Sequence, residues 1–314
     1  MLLSSTNQEE EDDEVASKGG SELFAVCRAT FLTIFLFPSV SGVTFRVFFT
    51  RLRRQRVDRE AEMVSTVANV DVKQKDADHA LVVAISCSAV LEDADDGDVH
   101  RVGVAFPLLQ ALQSVNRHLV EANSSESLLF DVLLITTDER RQRQSARIVS
   151  STKHYGLEVS RFCFSDGEDF VESLLENQVQ LFLSTEPEEV ALVWQRGVPS
   201  SLLGHQTWSS PSEQLRVLLC VDDVIAAAAA ESAQRFWSQL GAMRSRFGVL
   251  GSPVSVAVMT AHGGRRGFAD ALATLRSCGL NADEAHCLAG APRGPILELL
   301  RPHVLLGGGG GGLG

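Results

Sequence analysis

The chain has 314 residues, with 28 basic and 40 acidic side chains and a formal charge of −12 at neutral pH. A general nucleic-acid binder presents a basic face, so this balance argues against that class. A composition 45% hydrophobic and 22% charged is that of a folded globular chain, neither disordered throughout nor a multi-span membrane protein. Cys27, Cys87, Cys163, Cys220, Cys278 and Cys287 are widely separated and form no CxxC pair. That spacing opposes a disulfide scaffold or a four-thiolate zinc site and points to a reducing, cytoplasmic compartment.

Glu9 to Glu14 is an unbroken acidic run in a polar stretch with little apolar surface to bury, and is expected to be disordered. Ala29 to Phe45 is apolar and uncharged, with arginines following it at 46, 51, 53, 54 and 56. It falls short of the ~20 residues a bilayer span needs. It also carries Pro38, Ser39, Ser41 and Gly42 and lacks a basic leader. A docked or loosely ordered segment is expected there in place of a membrane anchor. Residues 1–77 are thus read as a loosely ordered N-terminal region, 78–306 as the folded domain, and 307–314, with its glycine run Gly307 to Gly312, as a frayed tail.

Within 78–306, short β-branched runs stand at Ala80 to Leu91, Phe130 to Thr136, Gln180 to Ser184, Leu215 to Val221 and Val254 to Thr260. They read as buried parallel strands. Phe106 to Glu121, with Pro107 in its first turn, Arg143 to His154, and Phe268 to Cys278 keep helical spacing. Strand–helix repetition implies an α/β fold with a doubly wound, mostly parallel sheet, whose chemistry sits at the carboxyl ends of the strands. The residues at those ends are Thr136, Thr137 and Asp138; Asp222 and Asp223; and Thr260, Ala261 and His262.

An aspartate at a buried strand end, such as Asp222, suits a metal or phosphoryl group, and equally serves as a helix N-cap. Thr260 offers a hydroxyl and an amide to a phosphate, or a cap. Arg293, in LAGAPRGP, can pin an anion or sit solvated in a loop. Counted from Asp93, the acidic loop Glu92 to Asp98 has Gly97 in the fifth place and Val104 in the twelfth, which does not match a calcium loop. No HExxH motif occurs. His286, Cys287, Gly290 and Arg293 spell HCxxGxxR, the spacing of cysteine-dependent phosphatases. The polar approach from Asn281 to Ala285 and Gly294 after the arginine depart from that pattern and favour a core cysteine in a short strand.

Several stretches together resemble the cytosolic 5'-nucleotidase type I family. They are VAISCSAVL (83–91), AFPLLQALQSVNRHL (105–119), FDVLLIT (130–136), His154-Tyr155, RFC (161–163), SEQLRV (212–217), TLRSCGL (274–280), DEA (283–285), LAGAPRGP (288–295) and LRPH (300–303). The resemblance implies a haloacid-dehalogenase-like (HAD-like) Rossmann-type body and magnesium-dependent hydrolysis of nucleoside 5'-monophosphates, AMP above all. It also implies a nucleophilic aspartate two residues before an acid/base aspartate. Alignment through SEQLRV puts the acid/base position at Asp222, which is also the residue the family pattern leaves for magnesium, and the nucleophile position at Cys220. Thr260 and Arg293 take the phosphate-binding positions. Where the family carries a later acidic metal-binding pair, this chain begins its glycine run, and the substrate-binding insertion after Asp222 is shortened to Ala226 to Ala230. The expectation is a 5'-nucleotidase-like protein whose hydrolysis is weak or lost. The alternatives are an inactive nucleotide-binding module, or one pairing with itself or a paralogue, and a cysteine phosphatase using Cys287 and Arg293.

Overall fold

The structure, a computed structural model, describes residues 46–48, 65–93, 99–165, 167, 169–204, 214–221, 230–247, 251–260 and 265–307. Leu81 to Ser86 (β3) is apolar almost without interruption and buried at every position, as a strand covered on both faces must be. It pairs in parallel with β6 (Phe130–Thr136) on one side and β8 (Leu181–Ser184) on the other. Beyond β6 lies β7 (Arg161–Phe164), and beyond β8 lies β9 (Ser200–Leu202), both parallel. Two strands from upstream of the apolar pattern extend this sheet. β2 (Ser65–Ala68) runs antiparallel to β7, and β1 (Arg46–Phe48) antiparallel to β2.

A second sheet of four parallel strands is built from β10 (Leu215–Cys220), β11 (Val254–Thr260), β12 (Glu284–Cys287) and β13 (Val304–Leu306), in the order β12-β11-β10-β13. The mostly parallel α/β organisation expected from the sequence is present, but its strands divide between two sheets. These adjoin where the Ser201 hydroxyl of β9 donates to the Leu305 carbonyl of β13 at 2.5 Å. One apolar core spans both, joining Val83 and Ile85 to Val217, Leu219, Val256 and Trp237.

The helix α2 (Phe106–Ala122) has Pro107 in its first turn and buries Leu108, Leu109, Leu112, Val115 and Leu119, a stripe at helical spacing. Its buried Asn116 accepts the Phe130 N–H at 2.7 Å and donates to the Phe130 carbonyl at 2.8 Å, fixing the helix to the start of β6. A later helix (Glu231–Ser245) buries Phe236, Trp237 and Leu240. Gly241 in that helix packs on the Gly279 carbonyl, where a Cβ would collide with backbone.

The run Ala80 to Leu91 is not one strand. After Ser86 the chain turns into the four-residue helix α1 (Cys87–Val90), then into β4 (Leu91–Glu92), which pairs with β5 (Arg101–Val102). A short, wholly buried apolar run has no amphipathic period to separate strand from helix. The helix expected at 143–154 is present as Ser145–His154, preceded by a separate turn of helix at Glu139–Arg143. The expectation at 268–278 is met by Arg265–Ser277. The acidic run at 9–14, the apolar segment 29–45 and the end of the glycine tail lie outside the described residues. No helix among the described residues is long and apolar enough to cross a membrane.

Candidate functional site

From β10 the chain passes to β11 and β12 on one side of the second sheet, then returns to β13 on the other. Ligand crevices of open parallel sheets lie at the carboxyl ends of strands where this reversal occurs. Here that point is the end of β10, at Cys220. The register sets Cys220 beside Met259, Thr260 beside Cys287, and Leu219 beside Leu306. Cys220, Thr260 and Cys287 therefore end three adjacent strands on one edge.

Their surroundings differ. Cys220 is 4% exposed and packs in a cluster with Leu218, Ala257, Met259 and Leu288, under the partly buried Ile296, Leu297 and Leu300 of the short helix Gly294–Leu300. Thr260 is equally buried, and alternation along β11 directs it to the face opposite Met259. Cys287 is exposed, so the expectation of a core cysteine is corrected. The short strand exists, but as β12 it is the sheet edge and most of its residues are exposed.

The segment LAGAPRGP is tied back to this edge. The Leu288 N–H donates to the Thr260 carbonyl at 2.9 Å, and the Ala291 N–H to the Leu288 carbonyl at 2.8 Å. Ala289 and Gly290 take positive φ, 49° and 88°, the left-handed conformation that a glycine accepts without strain. The turn delivers half-buried Arg293 to the start of the Gly294–Leu300 helix, where its carbonyl accepts the first helical bonds from Ile296 and Leu297, each at 3.1 Å. Thus Cys220 and Thr260 end adjacent strands, and Arg293 follows five residues after Leu288, whose backbone is tied to Thr260. Asp222, Asp223 and His262 lie outside the described residues.

The described residues that end these strands bring two thiols and a hydroxyl, and the turn that follows them carries the Arg293 guanidinium. None is a carboxylate, and among the described residues no cluster of histidine, cysteine, aspartate and glutamate has the arrangement to hold a metal ion. Magnesium demands hard oxygen ligands in octahedral array, so these residues do not by themselves fit it. Asp283, in the DEA stretch, points elsewhere. Its carboxylate accepts the Val256 N–H at 2.8 Å and pairs with Arg244, at the amino end of β11.

The first sheet has its own reversal at β3, and sequence reasoning missed what stands there. The Ser184 hydroxyl donates to Glu189 at 2.6 Å, and burial pushes the Glu189 carboxyl above its ordinary range against the opposing effect of that bond. Cys87, at the start of α1, is buried, and desolvation pushes its thiol up to about 11 although Arg141 lies beside it. Asp138 realises the capping role weighed for Asp222, accepting the Arg140 N–H at 2.8 Å. The signal for Glu189 was the strand-to-helix junction after QLFLS, where Pro187 opens the helix Pro187–Gln195.

A family model described as 5'-nucleotidase matches residues 93–235. The chain is also 30% identical over 234 residues to the human cytosolic 5'-nucleotidase 1B, an alignment covering 64% of this chain and 38% of that protein. Over these residues the chain is similar to the cytosolic 5'-nucleotidases. Within the residues matched to the 5'-nucleotidase model lie α2, β6, β7 and β10 with Cys220, whereas Thr260, Cys287 and Arg293 follow its end. The chain spans little more than a third of the length of that human relative.

Proposed function

We propose that this chain keeps the scaffold and a nucleotide cleft of the 5'-nucleotidases, with hydrolysis of nucleoside 5'-monophosphates weak or lost. Cys220 carries the reading: a thiol at the nucleophile position, at the reversal point of the second sheet, packed among apolar side chains. The strand order of that sheet supports a HAD-like arrangement, in which an aspartate at the end of β10 would attack phosphorus while the bond to the nucleoside oxygen breaks. The leaving oxygen would take its proton from the acid/base group, assigned to Asp222. A cysteine at position 220 supplies no carboxylate oxygen for that attack. Thr260 and Arg293 are assigned to the phosphoryl oxygens. A divalent metal requirement comes from the family alone, and no step is assigned to the ion. The cytoplasmic location rests on the human relative.

The test is phosphate release from AMP with magnesium, comparing the chain, Cys220→Asp and Cys287→Ser. Near-background release in the chain and a gain only in Cys220→Asp are expected. Hydrolysis by the unaltered chain well above a vector-only preparation refutes the proposal, and metal-independent release abolished by Cys287→Ser transfers it to the cysteine phosphatase. Retained binding is read separately, as protection by AMP against thermal unfolding, because a ligand that prefers the native state raises its stability. Sedimentation reports whether the body pairs with itself.

A further inference from the structure

A cavity of about 710 Å³ opens at the amino end of β6 and β7, away from the strand ends discussed above. Such a volume falls within the roughly 300–1,000 Å³ of small-molecule sites. One wall is a stripe of α2, Gln110, Gln113, Arg117 and Val120, spaced so that all lie on one helix face. Gln110, Arg117 and Val120 of this stripe are exposed and Gln113 is half-buried, while the opposite face of α2 is buried in the core. The facing wall is the segment after β2, with Val72, Lys73 and Lys75. Leu129 and Tyr155 form apolar floor. Tyr155 belongs to the His154-Tyr155 pair noted in the sequence, and its ring is fixed by donating to the His100 carbonyl at 3.0 Å. Gln113 donates to the Gly156 carbonyl at 2.9 Å and closes the corner.

The charges are uneven. Of the two lining acids, Asp71 is paired with Lys153 at 3.2 Å and Glu158 with Lys75 at 3.7 Å. Lys73 and Arg117 line the cavity with no ion pair among the described residues. A chain of net charge −12 has acids to spare, yet leaves a lysine and an arginine facing one concavity with an apolar floor. A guanidinium presents a planar fork to phosphate or carboxylate oxygens, and an ammonium adds a second donor. We propose that this cavity binds a small organic anion with a phosphoryl head held by Arg117 and Lys73 and an apolar body laid on Val72, Val120 and Leu129. This site is separate from the proposed nucleotide cleft at β10.

The probe is phenylphosphonate, which has an anionic head and an aromatic body and cannot be hydrolysed, titrated calorimetrically into the full chain. Saturable binding is expected, weakened at least tenfold in Lys73→Gln/Arg117→Gln and weakened by added salt. It is expected to persist in Arg276→Gln, a charge change elsewhere, and in Arg293→Gln, which alters the β10 edge. Both lining cations are exposed, so the double variant is expected to keep its far-UV circular dichroism and melting temperature. Unchanged affinity in a folded double variant, equal loss in Arg276→Gln, loss confined to Arg293→Gln, or no binding at millimolar probe each overturns the proposal.

Discussion

His303 and Arg216 exchange hydrogen bonds across β13 and β10: the Arg216 N–H donates to His303 Nδ1 at 3.1 Å, and the His303 N–H donates to the Arg216 carbonyl at 2.9 Å. The first bond requires an unprotonated Nδ1. Burial and the Arg216 charge together depress the His303 pKa from 6.5 to about 4. The histidine of LRPH thus aligns the strand that carries Cys220 with its neighbour.

A depressed folded pKa means that the unfolded chain binds this proton more readily. The stability is intact above the unfolded value near 6.5 and is lost as pH falls toward about 4. At 1.36 kcal/mol per pKa unit the most this group can withdraw is about 3 kcal/mol. His100, buried and depressed by desolvation and then by Arg147 and Arg141, acts in the same direction. Urea unfolding followed between pH 7 and pH 4 should show a falling midpoint, and His303→Asn, which keeps an acceptor but cannot be protonated in this range, should flatten it. An equally steep fall in His303→Asn would assign the effect to other groups.

Arg161 opens β7 and pairs at 2.7 Å with Asp131 of β6, whose other oxygen is buried with no hydrogen-bond partner among the described residues. Removing one member of such a pair leaves an uncompensated charge and costs about 3–5 kcal/mol. Arg161 is 22% exposed at its side chain, so the lower end is expected for Arg161→Ala. Arg161→Ala/Asp131→Asn should recover part of the loss, and chemical denaturation of the two variants measures both. A loss in Arg161→Ala below about 1 kcal/mol would mean that the pair behaves as a surface bridge.

Gly241→Ala tests the contact between the Glu231–Ser245 helix and the turn at Gly279. Alanine favours a helix over glycine by roughly 0.5–1 kcal/mol, but here the added Cβ meets the Gly279 carbonyl, a backbone atom that cannot swing aside. Overpacking of this kind costs about 1–3 kcal/mol, so a net lowering of the melting temperature is expected. A rise would show that the turn moves freely.

Much of this architecture was legible because its central strands are mostly apolar and fully buried. LVVAIS and FDVLLIT are buried on both faces, as the interior strands of a parallel sheet covered by helices are. The split into two sheets was not legible, since no local pattern in β9 or β13, three residues each, tells which neighbour it joins. The partly buried helix Gly294–Leu300 and exposed β12 likewise lack the periodicity that betrays an element. At the site, Thr260 and Arg293 were found from strand ends and the glycine-proline turn. Glu189 was missed, because it reads as one more acid in TEPEE until burial and Ser184 distinguish it.

Cys220→Asp carries a stability consequence separate from its activity. At 4% exposure among Leu218, Ala257, Met259 and Leu288, a carboxylate would lose much of its hydration. An imperfectly paired buried polar group costs on the order of 2–4 kcal/mol. Desolvation raises the pKa of such a carboxyl above its unfolded value, so the penalty should be largest at neutral pH and shrink as the pH is lowered to 5. Cys220→Ser, nearly the same size and uncharged, should cost less and show no such pH dependence. The melting temperature of each variant at the two pH values, with and without magnesium, reads this out, and a gain confined to Cys220→Asp with the ion would mark oxygen ligands near the end of β10. An aspartate accommodated at pH 7 without loss would mean that water reaches position 220, and the apolar packing assigned to Cys220 would be wrong.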